Sequence, residues 1–262
     1  MIYNVCQSSI SHDILYAEFT LNREEFVYVR IALKGAFMFQ PGTDWNPKQA
    51  QLKELIAKPE KYEDAKKICL ELHSMVHSSE VTSGLQPTLM DEVWEGLTEK
   101  AFITMPTAKD VTVAWNIWHV TRIEDITANI LIHEGEQVLN GQWLERLGVN
   151  VKDTGNAMTD DEILSLSRNL DMTELKNYRD AVGLRTKQII NGLTAPDLKK
   201  KIRKESIARI LEEGGVTEQE GSIWLLDFWG KKNVAGILLM PITRHQSGHL
   251  NDCLKLKKRL QK

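Results

Sequence analysis

The segments AWNIWHVTRIEDIT (residues 114–127) and GILLMPITRHQSGHLNDC (residues 236–253) decide how this chain reads. Both carry apolar residues at helical spacing, and both place histidine on the apolar stripe. The first stripe runs Asn116, His119, Ile123, Ile126 and Ile130; the second runs Leu238, Ile242, His245, His249, Leu256 and Leu260. Residues on such a stripe face a core. His245 and His249, four apart, sit about 40° from one another around a helix and roughly 6 Å along it. Two imidazoles so placed can bind one cation from the same face. They leave the ion under-coordinated, and His119, on a facing stripe, qualifies as a third ligand. Three neutral imidazoles suit Zn²⁺, Ni²⁺ or Fe²⁺ and leave positions open for water or substrate. The alternative is three separate histidines bonded to backbone carbonyls or water.

Outward from these segments the pattern stays helical. Asn22 and Glu25 are placed as a capping box for a short helix over Arg23–Lys34, and PGTDWNP (41–47) reads as a turn-rich break. Ala65, Ile68, Leu72, Met75 and Val76 recur at helical spacing from about Tyr62 to Ser79, and a shorter helix covers roughly Leu89–Glu99. Thr107 and Asp110 form a cap signature that opens a long helix to His133, with Gly135 as its stop. Another long helix spans about Thr173–Asn191, with Leu175, Tyr178, Val182 and Ile189 on its inner face. Pro196 begins a basic helix that ends at Gly214 and Gly215. The last helix runs from about Asn233 to Leu260, and Pro241 frees the Ile237 carbonyl and kinks it one turn before His245. Four long amphipathic helices, shorter ones between them and no alternating strands predict an all-α four-helix bundle with crossover connections.

Composition narrows the function classes. The chain has 262 residues, 42% hydrophobic and 26% charged, which is ordinary for a globular protein. A formal charge of −3 and a pI near 6.2 give no general attraction to nucleic acid or anionic membrane. Cys6, Cys69 and Cys253 are too few and too scattered for a disulfide framework. The start MIYNVCQSSISHD lacks the regions of a signal peptide, and the longest apolar run, near Val234–Met240, is too short to span a bilayer. The expectation is a cytoplasmic protein with no nucleic-acid or membrane partner.

Other chemistry-bearing residues carry two readings each. His73 and His77, near Cys69, form a second pair four apart, and lie beside their helix stripe, as a partly exposed pair at a helix end would. His12 and His133 have no spaced partner and read as surface residues. Arg122 is one turn beyond His119 and within reach of Asp125 at i+3, so it either anchors an anionic substrate or forms a structural ion pair. Glu124 and Asp125 can support histidine nitrogens or act as a base, although helical geometry turns them away from the His119 direction. Cys253, one turn past His249, is either a soft metal ligand or a buried inert thiol. Trp115, Trp118, Trp224 and Trp229 read as core. The basic run Lys199–Lys204 is followed by Glu205, Glu212 and Glu213, as in a solvated amphipathic helix. No G-x-x-x-x-G-K-[ST], G-x-G-x-x-G or G-x-S-x-G pattern occurs.

Through WHVTRIEDIT (118–127) and MPITRHQSGHL (240–250) the chain resembles the DinB/YfiT-like superfamily of metal-binding four-helix bundles. The resemblance covers about residues 61–262 and leaves 1–60 as an N-terminal helical extension. The segment between the two middle helices is longer than in compact members. Members carry a histidine in the second helix and an H-x-x-x-H pair in the fourth, which fall here on His119, His245 and His249. The resemblance implies a divalent metal and a thiol-dependent S-transferase, in which a low-molecular-weight thiol such as bacillithiol or mycothiol attacks a small electrophile. Arg122 would then anchor a carboxylate of that thiol. A metal-dependent hydrolase of a small substrate and a non-catalytic metal-binding or dimerisation bundle are the alternatives, and a homodimer is the expected assembly.

Overall fold

The computed structural model describes residues 40–82 and 88–262. The Arg23–Lys34 helix and its Asn22–Glu25 cap lie outside the described residues, as do His12 and Cys6. The described chain is helical, with no strand and one isolated antiparallel bridge between Lys201 and Asn233. In order, the α-helices are α1 (Asn46–Leu55), α2 (Tyr62–Val76), α3 (Ser79–Thr82), α4 (Leu89–Trp94), α5 (Glu99–Ile103) and α6 (Val113–Asp125). They are followed by α7 (Gly141–Leu147), α8 (Asp160–Asn169), α9 (Met172–Gly192), α10 (Lys204–Glu212), α11 (Glu220–Gly230), α12 (Val234–Leu239) and α13 (His245–Leu260). No helix among the described residues is long and apolar enough to cross a membrane.

The long helices pack on one another in pairs. α6 packs on α9 and α13, and α2 packs on the same two. Helix α6 is less amphipathic than its stripe suggests: from Asn116 to Asp125 every residue is buried. Such a helix needs a partner for each polar side chain. Thr121 and Thr127 return hydroxyl bonds to Ile117 and Ile123 carbonyls, and Asn129 to that of Asp125.

Several boundaries differ from the sequence reading. The expected break at 41–47 is helical: a π turn, Pro41–Trp45, leads into α1, because both prolines fall in first turns where no amide hydrogen is needed. Trp45, Leu52 and Ile56 join the core. The Leu89–Glu99 stretch splits into two helices capped by Thr88 and Thr98. Thr107 does not cap α6, since its hydroxyl donates to Asp110; Thr112 accepts from the Trp115 amide instead. α6 passes into a π-helix at Ile126–Ile132. The basic segment breaks into a 3₁₀ turn (Ala195–Lys199) and α10. Trp224 is 49% exposed rather than core.

Pro241 interrupts the last helix where expected. Between α12 and α13 lies a π turn, Met240–Arg244, and the His245 amide bonds back to Met240. The Thr243 hydroxyl bonds to the Leu238 and Leu239 carbonyls at 2.9 and 3.1 Å, satisfying acceptors the break exposes.

Candidate metal centre

The loop after α7 reads α6 from outside. Four consecutive carbonyls accept from four side chains of that helix: Lys152 from Arg122 Nε (2.9 Å), Asp153 from Trp118 Nε1 (3.0 Å), Thr154 from His119 Nδ1 (2.7 Å) and Gly155 from Trp115 Nε1 (3.2 Å). The donors recur at the i, i+3, i+4 and i+7 spacing of one helix face. Gly155 holds φ 76°, and a Cβ there would stand 2.7 Å from Trp115 Nε1, so the loop needs glycine at this point. Trp115 in turn stacks on His119, with ring centroids 4.6 Å apart and planes 8° from parallel.

α13 brings His245 and His249 to the same place. Ligand atoms of His119, His245 and His249 all lie within 4.8 Å of one another, and the Nε2 atoms of His119 and His245 are 3.2 Å apart. For His119 and His249 the proton positions are fixed by what the Nδ1 meets. A carbonyl only accepts, so His119 carries its proton on Nδ1 and leaves Nε2 bare. Asn116 Nδ2 donates to the Thr112 carbonyl, which leaves Asn116 Oδ1 to accept from His249 Nδ1 at 2.7 Å. His249 Nε2 is therefore bare as well. His245 Nδ1 is buried without a partner. Burial pushes His119 down to about 3, with His249 adding to the effect. Burial likewise lowers His249, and it holds His245 well below the ordinary imidazole value, with His119 and His249 contributing. Three uncharged rings, two with Nε2 lone pairs set by their outer nitrogens and the third beside them, can serve as the donor set of a three-histidine metal site.

A second cluster was misread from the sequence. His73 and His77 are not a partly exposed pair: both are buried, and their Nε2 atoms reach Glu124 Oε1 and Oε2 at 2.8 and 2.9 Å. Gln246 Nε2 donates to the same carboxylate, while its Oε1 accepts from Arg179 at 2.9 Å. Burial would raise the Glu124 carboxyl, yet the His77 and His73 rings hold it well below the usual carboxylate range. Burial pushes His77 down to about 4 despite the pull of Glu124. By distance this group too can hold an ion. Burial separates the two clusters: all three residues of this one are buried, whereas His245 and His249 of the other are only part-buried. The signal available in sequence was Glu124 itself, a carboxylate amid buried positions that must find a partner.

Arg122 does not face the histidine cluster. It is fully buried, paired with Asp125 at 2.9 Å and bonded to Tyr178 Oη (2.7 Å), Gln137 Oε1 (2.6 Å) and the Lys152 carbonyl. Of the two readings of Arg122, these contacts are those of a structural ion pair. Asp125 also accepts from the Val138 and Leu139 amides, so neither it nor Glu124 supports a ring of the three-histidine cluster. Cys253 is buried and stands outside that cluster, and burial raises its thiol far above the ordinary range.

A family model described as the DinB superfamily matches residues 85–251, a span that contains His119, Glu124, His245 and His249 and leaves out His73 and His77. No curated protein matches the chain.

Proposed function

The chain belongs to the DinB superfamily, and on that premise we propose that it is a divalent-metal-dependent enzyme, a thiol S-transferase acting on a small electrophile. The observation that carries the reading is the pair of bare Nε2 atoms, on His119 and His249, turned toward His245 because their Nδ1 protons are already engaged. His119, His245 and His249 would hold the ion. Bound there, a divalent metal such as zinc, nickel or iron lowers the pKa of a coordinated thiol and keeps the thiolate beside its electrophile.

The chain's own residues do the rest. The Thr154 carbonyl and Asn116 orient two of the rings, and Trp115 covers a face of His119. A groove of about 450 Å³ opens on His249 and is wide enough for a small molecule. Its carboxylates, Asp110 and Asp252, are paired with Arg259 and Lys255 at 2.6 and 2.8 Å. The same proposal includes a cytoplasmic location, no nucleic-acid or membrane partner, and a homodimer readable by analytical ultracentrifugation.

Metal analysis of the purified protein, followed by turnover of a chromogenic electrophile with and without added thiol, tests the reading. An ion that both His119→Ala and His249→Ala lose, with thiol-dependent turnover, is expected. Thiol-independent cleavage of an ester would move the assignment to a hydrolase. Metal with neither activity would leave a binding bundle, and an absence of metal would end the proposal.

A further inference from the structure

Glu124 and Asp125 are neighbouring carboxylates on α6, both fully buried, and the protein treats them differently. Asp125 has a cation in contact, the Arg122 guanidinium at 2.9 Å. Glu124 pairs with no lysine or arginine among the described residues: its carboxylate oxygens meet two imidazoles and the Gln246 amide. Arg179 reaches it only through Gln246, and otherwise donates to the Val76 carbonyl at 2.7 Å and to Thr121 Oγ1 at 3.3 Å. The His77 ring, pushed down to about 4, is uncharged at neutral pH and brings no counter-charge of its own. A carboxylate kept ionised in a sealed interior calls for a cation in contact.

The atoms around Glu124 are spaced as ligands are. His73 Nε2 stands 2.8 Å from Oε1, and His77 Nε2 stands 3.1 and 2.9 Å from Oε1 and Oε2. Donors about 2.1 Å from a common ion, at angles of roughly 90–110°, lie about 3.0–3.4 Å apart, so small shifts admit an ion. His77 Nδ1 meets no partner, so nothing on the far side of that ring keeps the proton from moving there and leaving Nε2 bare. The seat of the ring is built into another helix. Gly183, within α9, abuts it so closely that a Cβ would stand 2.4 Å from His77 Nδ1, and glycine inside a helix costs stability relative to alanine. We propose that His73, His77 and Glu124 form a second metal site, which takes one divalent first-row transition ion through two imidazoles and both carboxylate oxygens. Side chains no more than 2% exposed leave no way in for a substrate, so this ion is structural. It staples α2 to α6, fastening a helix outside the span that the DinB model matches to one inside it. The site stands apart from the three-histidine centre and does not rest on it.

Zinc is the probe. Protein unfolded in urea with a chelator, refolded with excess Zn²⁺ and desalted should hold two ions per chain, one of which stays in a variant carrying both His119→Ala and His249→Ala. Anomalous scattering at the zinc edge from crystals of the parent protein should show a peak within bonding distance of His73, His77 and Glu124, besides the one at the three histidines. Adding His73→Gln to the double variant should abolish zinc binding while circular dichroism shows the chain folded. A parent protein whose only zinc peak lies at the three histidines overturns the second site and leaves the first standing, with no recourse to variants. Zinc that persists after His73→Gln is added also overturns the second site. A peak at His73, His77 and Glu124 alone supports the staple and refutes the three-histidine centre, and a protein that takes up no zinc refutes both.

Discussion

Acidification is the perturbation to which the buried imidazoles answer most directly. Burial pushes His77 down to about 4 and His119 to about 3, against about 6.5 for a ring in an unfolded chain. The folded rings stay neutral over a pH range where unfolded rings are charged. Their contribution is therefore complete above about pH 6.5 and declines as the pH falls toward the folded values. At about pH 4.5, two pH units below the unfolded value, protonation favours the unfolded state by roughly 2.5 kcal/mol for each ring. The two together remove about 5 kcal/mol, a large part of the roughly 5–15 kcal/mol that holds an ordinary domain. Glu124 does not offset this, since its carboxyl is held well below the usual range and loses stability in the same direction at lower pH. Urea titrations of chelator-stripped protein at about pH 7.5 and 4.5, followed by circular dichroism and tryptophan fluorescence, measure the loss. A change under about 1 kcal/mol would refute the reasoning. So would a loss of undiminished size in a folded variant carrying both His77→Gln and His119→Gln.

Three further outcomes follow from the geometry. Gly155→Ala should weaken zinc binding about tenfold while the protein stays folded, because the new methyl strains φ 76° and presses on Trp115, shifting the carbonyl that orients His119; calorimetric titration with unchanged affinity would remove the loop from the argument. Glu124→Gln should cost about 3 kcal/mol in urea unfolding, since it leaves Arg179 without its buried counter-charge, and a loss below about 1 kcal/mol would show Asp180 to be the effective partner. Zinc at a hundredfold above the Kd of the three-histidine site should stabilise the parent protein by about 2.7 kcal/mol more than it stabilises His249→Ala, as read by the urea midpoint.

The two halves of the candidate site were legible for the same reason: imidazole in place of Ile or Leu on a helical stripe stands out against a regular pattern. His119, His245 and His249 could be paired from periodicity because each lies on the face its helix turns to the core. The all-α class was legible in the same way. What escaped the sequence depends on distant partners. His73 lies 51 residues from Glu124 and His77 lies 47 away, and local spacing says nothing about who meets whom across the core. Arg122 invited a functional reading because a cation beside a metal ligand is suggestive, but its fate was decided by Tyr178, Gln137 and a loop carbonyl, all far along the chain. The prolines at 41–47 misled because proline marks a first helical turn as readily as a break.

Helix α6 ties these observations together. His119 and Glu124 are five residues apart, about 140° around the helix and 7.5 Å along it, so one rod presents the histidine cluster on one side and the ionic network on another. α13 repeats the arrangement with adjacent residues, His245 in the first cluster and Gln246 in the second. The Gln246–Glu124 bond thus fastens together the two helices whose imidazoles converge. On a helix buried over its whole circumference, an idle polar atom is costly. Arg122 and Asp125 both have protein partners that suit their charge. His119 Nδ1 has one too, while its Nε2 faces other imidazoles across a few ångströms. A cation is the partner that satisfies such converging lone pairs together.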